Sequence, residues 1–419
     1  MLELFPDTAR IERGELVVGG VGATELADRF GTPLVVYCEE TIRGRAREVR
    51  SAVPDAELYY GSKAFPNVAV LRLLAEEGIG ADVSTLGELA FARAAGLSGW
   101  RLVVHGNAKS TEELRAAAEA EATVVVDGEG EAERAAGAGV RRVLLRITLG
   151  VEADTHEAIR TGHHGSKFGL PPDAALGVVR DALERDLDVA GVHVHVGSQL
   201  ADVSAHAATI ELLAAFAVRC RDELGWTPAI VDVGGGFGVR HVATQPEPPV
   251  EQLVSSLVGA VARGWAERDL PPPQLVIEPG RALVSPAGVT LYRVGAVKRA
   301  GDKRYVAIDG GMSDNPRPQL YNALYTALLA ERADEEAAGE FTIAGKHCES
   351  GDVLIEDIAL PEPRRGDLLA VPVTGAYTLA MSSNYNGVQR PAAALVRDGQ
   401  ARLILRRETV DDLLAREPE

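Results

Sequence analysis

Four short segments carry residues suited to chemistry on a small molecule. They are YYGSKAFPN with Lys63, GVHVHVGSQ with His193, His195 and Ser198, DVGGGFG with Gly234, Gly235 and Gly236, and IEPGR with Glu278, Gly280 and Arg281. A desolvated lysine loses basicity and becomes a nucleophilic amine; on an open surface Lys63 would only bond a neighbouring loop. Only six of the 43 basic residues are lysines, so few primary amines compete for such a role. His193 and His195 stand two apart and share one face of a strand. Either they hold a metal, or one ring stacks flat on a planar ligand while Ser198 binds a phosphate. A metal needs further His or Asp ligands, and the later strands read as offering glycines and a lone glutamate. The three glycines let backbone N–H groups approach an anion, although such turns also occur without a ligand. Glu278 suits a protonated ring nitrogen and Arg281 an anion, unless the two simply pair with each other. A lysine, a stacking histidine, a phosphate cradle and a carboxylate together fit pyridoxal phosphate.

The elements that must position these residues follow from pattern. Eight β-branched or apolar runs occupy 58–63, 78–84, 101–106, 123–128, 143–150, 191–197, 230–236 and 275–281. Between them lie Ala/Leu/Glu/Arg-rich stretches such as NVAVLRLLAEEG and TEELRAAAEAEA, which favour helix. Strands alternating with helices imply βαβ units and a parallel sheet. Eight of them fit a (β/α)8 TIM barrel, whose chemistry gathers at the C-terminal strand ends. After about residue 285 the texture changes to strands: a hairpin over 289–311, then DVLIEDIAL, DLLAVPV and ARLILRRET. The expected class is α/β: a PLP-binding (β/α)8 barrel over 38–285 and a second, mostly β C-terminal domain over 286–419. Residues 1–37 form an N-terminal segment expected to pair with the β domain.

A net charge of −18 argues against nucleic acid and anionic membrane partners, both of which need a basic surface. No run is long and apolar enough for a transmembrane span, and the acidic start MLELFPDTARIERGEL does not read as a signal peptide. Cys38, Cys220 and Cys348 lie too far apart for a disulfide or metal pattern, which fits a reducing cytoplasm.

These motifs resemble the diaminopimelate decarboxylase family, of the alanine-racemase-like fold type III PLP enzymes. YYGSKAFPN, VHVHVGSQ, DVGGGFG and EPGRALV match in order, followed by DGGMSDNPRPQLYNA, CESGD, GAYTLAMSSNYNG and RPA. The resemblance implies decarboxylation of meso-2,6-diaminopimelate to L-lysine. Lys63 would hold the cofactor covalently and His195 would stack on its face. Ser198, Gly235, Gly236, Gly280, Arg281 and Tyr377 would surround the phosphate, and Glu278 would face the ring nitrogen. Arg281, Arg317, Tyr321 and Tyr377 would bind substrate, with Arg317 and Tyr321 on the distal carboxylate and Glu349 on the distal amine. Cys348 would donate a proton; the family brings Cys348 and Glu349 from a second subunit, implying a homodimer with shared active sites. Asp82 and Glu88 would support the cofactor. The sequence departs from the family at Gly61-Ser62-Lys63-Ala64-Phe65, where an asparagine is displaced to Asn67, and over 155–169. The alternatives are a related lysine, ornithine or arginine decarboxylase, a non-catalytic PLP-binding protein, or a metal-dependent hydrolase built on His193 and His195. For Cys348 the plain alternative is a small buried hydrophobe; for Tyr377 it is core packing.

Overall fold

The computed structural model describes residues 2–150, 166–195, 204–248 and 250–418. The chain divides into two compact units. One comprises 46–238 and 248–282, the other 1–45, 239–247 and 283–419.

The first unit is a closed parallel barrel of eight strands: Glu57–Gly61, Gly80–Val83, Leu102–Val104, Thr123–Val126, Arg142–Arg146, Asp188–His193, Ile230–Asp232 and Gln274–Ile277. Each of the first seven is followed by a helix. The helices start where the sequence can cap them. Asn67, the asparagine displaced from the lysine motif, accepts from the Ala69 and Val70 amides, and Ser110 forms a reciprocal capping box with Glu113.

Period-two alternation explains what fills the barrel and what stands at its mouth. Tyr59, Val103, Val125, Leu144 and Val276 pack together inside, with Ile230 against them. Gly80 occupies this layer on the second strand because a Cβ there would stand 2.7 Å from the Tyr59 ring. On the sixth strand the register shifts between Val189 and Gly191, which pairs with Leu144. A Cβ on Gly191 would stand 2.0 Å from the Ile230 carbonyl oxygen, so no side chain fits. Two residues further along each strand comes the next inward layer: Gly61, Asp82, His105, Asp127, Arg146, His193, Asp232 and Glu278. The apolar plug thus gives way, at one level, to seven polar residues and a glycine.

The second unit is a nine-stranded sheet. Its main order runs Val353–Leu360, Gly339–Ala344, Lys303–Ile308, Gly288–Ala300, Leu34–Cys38, Ala392–Arg397 and Gln400–Leu405, with Leu368–Pro372 bridging to Leu328–Leu329. Leu34–Cys38 is interior, antiparallel to Gly288–Leu291 and parallel to Ala392–Val396. GELVVGG does not join this sheet; its strand Glu15–Val18 belongs to a separate three-stranded sheet with Arg10–Glu12 and Val21–Gly22. No described helix is long and apolar enough to cross a membrane.

Candidate active site

At the barrel mouth Glu278 is 6 % exposed. His105 Nε2 stands 2.7 Å from its Oε1 and His193 Nε2 stands 3.5 Å from its Oε2. Burial would raise the Glu278 carboxyl, yet the two facing imidazoles outweigh it and hold the group well below the usual carboxylate range. Burial works against a charged His105 too, but Asp82, whose Oδ1 lies 3.6 Å away, and Glu278 raise its pKa. Burial pushes His193 down to about 3 and Asp82 up to about 6. Asp232, fully buried and facing Glu278, is raised well above the ordinary range. The cluster therefore favours the anionic form of Glu278 and the protonated form of His105, and disfavours charge on His193 and Asp232. The ligand atoms of His105, His193, Asp232 and Glu278 lie within 4.8 Å of one another. That spacing suits a divalent cation as well as a proton-sharing network, and it corrects the reading of a lone glutamate among glycines.

His195 stacks parallel to His193, with centroids 6.4 Å apart and planes at 13°. The Gly235 amide donates to His195 Nδ1 at 3.3 Å, which places the proton of the neutral ring on Nε2. Burial, and then the charge of Lys63, keep this ring from protonating. Gly234 has φ +69°, and a Cβ there would lie 2.5 Å from His195 Nδ1. At Gly235 a Cβ would lie 2.1 Å from the Glu278 carbonyl oxygen, and Gly236 has φ +94°. Only glycine allows this turn to press against both the histidine and the glutamate strand end. Gly280 backs onto the first strand: the Gly61 amide donates to the Pro279 carbonyl, and a Cβ on Gly280 would lie 3.1 Å from the Gly61 oxygen.

Lys63 follows in a short 3-10 turn, Ser62–Ala64, with an exposed side chain whose charge acts on Asp82, Glu88 and His195. Glu88 is tied by the Ser84 amide at 2.6 Å. Arg146 is buried, 3.7 Å from Asp127 and 4.5 Å over the Phe168 ring. Arg281 is buried. Ser198 and residues 151–165 lie outside the described residues.

In the second unit Arg317 is 5 % exposed. Its Nη1 donates to His241 Nε2 and to the Tyr325 hydroxyl, each at 2.8 Å. Among the described residues no carboxylate pairs with it, and its Nε has no hydrogen-bond partner. Tyr321 and Tyr377 are half-buried, Tyr377 with φ +58°. Cys348 is exposed rather than a buried hydrophobe, its amide donating to Asn386 Oδ1 at 3.0 Å. Glu349 is exposed beside it, 3.5 Å from the Tyr385 hydroxyl. Asp352 fixes this turn, accepting from the Met312 and His347 amides and lying 2.6 Å from His347 Nδ1.

Residues 39–285 match the family described as pyridoxal-dependent decarboxylase, pyridoxal binding domain. The chain is 47 % identical to a diaminopimelate decarboxylase of Actinosynnema pretiosum subsp. auranticum, covering 99 % of this chain and 95 % of that one. With the enzyme of that name from Bacillus subtilis the identity is 43 %, covering 96 % and 95 %. The crystal structure of diaminopimelate decarboxylase from M. jannaschii in co-complex with L-lysine superposes with a TM-score of 0.92 at 33 % identity, covering 99 % and 98 %. The chain belongs to the diaminopimelate decarboxylase family.

In this diaminopimelate decarboxylase family member, His105, Asp127, Arg146, Asp232 and His241 are not among the residues that the sequence motifs single out. The first four carried a usable signal, since each stands two residues past an inward barrel residue. His241 carried none, because its contact with Arg317 spans 76 positions.

The segment leading to Arg317 is itself clamped. Asp314, buried, accepts from the Tyr292 hydroxyl and from the Gly311 amide at 2.8 Å. Burial raises its pKa from 3.8 to about 7. The folded chain then keeps a proton that the unfolded chain releases from about pH 4, so this contribution to stability falls as pH rises through about 7. Asp314→Asn mimics the protonated form. The wild type should lose stability relative to the variant over that window, by as much as about 4 kcal/mol. Unfolding midpoints of both proteins across pH measure this; parallel curves would refute it.

Proposed function

We propose that the chain removes one carboxyl group from meso-2,6-diaminopimelate, releasing carbon dioxide and L-lysine, with pyridoxal 5'-phosphate held by Lys63. The observation that carries this is the anionic Glu278 fixed between two imidazoles, beside a glycine turn that side chains would fill. These residues fit the cofactor: a buried carboxylate for a protonated ring nitrogen, open backbone at Gly234–Gly236 for an anion, and a neutral flat ring at His195. Bound there, the group supplies an electrophilic carbonyl and a ring that takes up the electron pair left when carbon dioxide departs.

The protein residues then have definite tasks. Lys63 would supply the amine that holds the cofactor. Glu278 would hold a proton at the ring nitrogen, and His105, 2.7 Å away with its protonation favoured by Asp82 and Glu278, helps keep Glu278 anionic. His195 would stack on the cofactor face, and Gly280, Arg281 and Tyr377, together with Ser198 as the family motif implies, would bind the phosphate. Asp82 and Glu88 support the cofactor, and Tyr321 assists Arg317. Exposed Cys348 and Glu349 act in the site of a second copy in a homodimer, Cys348 returning a proton to the substrate carbon and Glu349 binding the distal amine. The enzyme works in the cytoplasm.

Arg317 supports a substrate with two amino-acid ends. A buried guanidinium without a carboxylate partner is costly to leave so, and diaminopimelate supplies an anion where lysine or ornithine has only an amine. Arg317→Ala should lower kcat/KM for meso-diaminopimelate by roughly a hundredfold, about 3 kcal/mol, and leave cofactor affinity unchanged. Equal losses in both would remove Arg317 from the substrate site. The whole reading is tested by carbon dioxide and lysine release from the purified protein with pyridoxal phosphate. Turnover of L-lysine or L-ornithine in preference, or cofactor binding without turnover of any of the three, would overturn it.

A further inference from the structure

Arg317 is held in an unusual way for a buried cation. Both partners of its Nη1, His241 and the Tyr325 hydroxyl, are themselves buried, at 3 % and 4 % exposure. The two rings meet edge to face, at 5.5 Å and 89°. A guanidinium nitrogen only donates, so His241 Nε2 must offer its lone pair. The ring proton is then on Nδ1, which faces the Val239 carbonyl oxygen at 3.2 Å. The His241 backbone amide donates to Gln245 Oε1 at 2.9 Å, so the short 239–247 excursion is fastened to itself. His241 is thus a neutral acceptor fixed in one tautomer. It orients the guanidinium without cancelling its charge. A carboxylate in its place would hold Arg317 equally well and neutralise it.

We infer that His241 is a positioning residue and a determinant of substrate specificity: with Tyr325 it aims Arg317 while leaving its positive charge for the distal carboxylate of the substrate. The inference rests on the proposed role of Arg317. It explains why the Nη1 of a buried arginine is met by two neutral groups, and it assigns the choice between a diacid and a monoacid diamine partly to a residue outside every motif read in the sequence.

Three variants separate the roles. His241→Leu removes the acceptor, His241→Gln restores a neutral acceptor at nearly the Nε2 position, and His241→Glu supplies a charged one. KM and kcat for meso-diaminopimelate, cofactor affinity and unfolding midpoints are measured on each holoenzyme. His241→Leu should raise KM by about tenfold or more, the size of a lost hydrogen bond to a charged group, with kcat changed much less. His241→Gln should recover most of that loss. His241→Glu should raise KM at least as far as His241→Leu although Arg317 stays held. In the Arg317→Ala background, His241→Leu should add almost nothing. If Arg317→Ala raises KM but His241→Leu and His241→Glu do not, this inference fails and the reading of Arg317 stands. If Arg317→Ala also leaves KM unchanged, both fail. A loss in which Leu, Gln and Glu reduce cofactor affinity, kcat and thermal stability together would show a merely structural histidine.

Discussion

Lys63→Ala should abolish diaminopimelate turnover, lowering kcat by about ten-thousandfold or more, because one residue supplies both the attachment point and an amine at the reacting carbon. Borohydride reduction of the wild-type holoenzyme followed by peptide mass analysis should place the cofactor on the peptide with Lys63; the variant should show no such adduct. Added methylamine should restore part of the lost rate, since a small amine can fill the vacated space. The amine is exposed rather than desolvated as a strand end suggested, so the case for it rests on its place beside charged groups. The side chain is exposed at the barrel mouth, where its charge acts on Asp82, Glu88 and His195. A variant that keeps more than a tenth of the activity, or an adduct on another lysine, would remove Lys63 from the reaction.

Glu278→Gln should be the next most damaging change. The amide has nearly the same shape and can still bond His105, but it carries no charge to hold a proton on a ring nitrogen. Loss of one preorganised electrostatic group at a buried centre typically costs about 10²- to 10³-fold in kcat. Bound cofactor should remain while kcat falls, and its visible absorption should respond because the ring nitrogen loses its anionic partner. The variant should also lose a pH-dependent stabilisation. Glu278 is held below its ordinary pKa by His105 and His193, so its contribution is present above the unfolded carboxylate range and lost as pH falls through the depressed value. Wild-type rates in Glu278→Gln would mean that the imidazole–carboxylate cluster serves folding alone.

The barrel was legible because its strands are short β-branched or apolar runs between helix-forming stretches, and local composition suffices for that. The β unit was less so. Gly339–Ala344 and Ala392–Arg397 escaped notice because GEFTIA and AAALVR lack a sustained β-branched pattern, and the sheet rather than the sequence makes them strands. The positions of Lys63, His195, Gly235 and Glu278 at strand ends could be read from motifs. The charge state of Glu278 could not, since it depends on His105, three strands away in the barrel order. Asp232 opens the DVGGGFG motif but attracted no attention beside three glycines. His241 was beyond reach for a different reason: the chain leaves the barrel unit for 239–247, and only the folded path brings that histidine to Arg317.

The interior strand Leu34–Cys38 has a bearing on synthesis. All five residues are buried, and their hydrogen-bonding neighbours lie at 288–291 and 392–396. While the ribosome translates the intervening residues, this apolar strand emerges with both edges open and remains so until the last sheet partner has left the exit tunnel. Open apolar edges invite association with other nascent chains. Most barrel strands that follow it pair with the next strand in sequence, Glu57–Gly61 with Gln274–Ile277 being the exception, whereas Leu34–Cys38 has no sheet partner until residues 288–291 and 392–396.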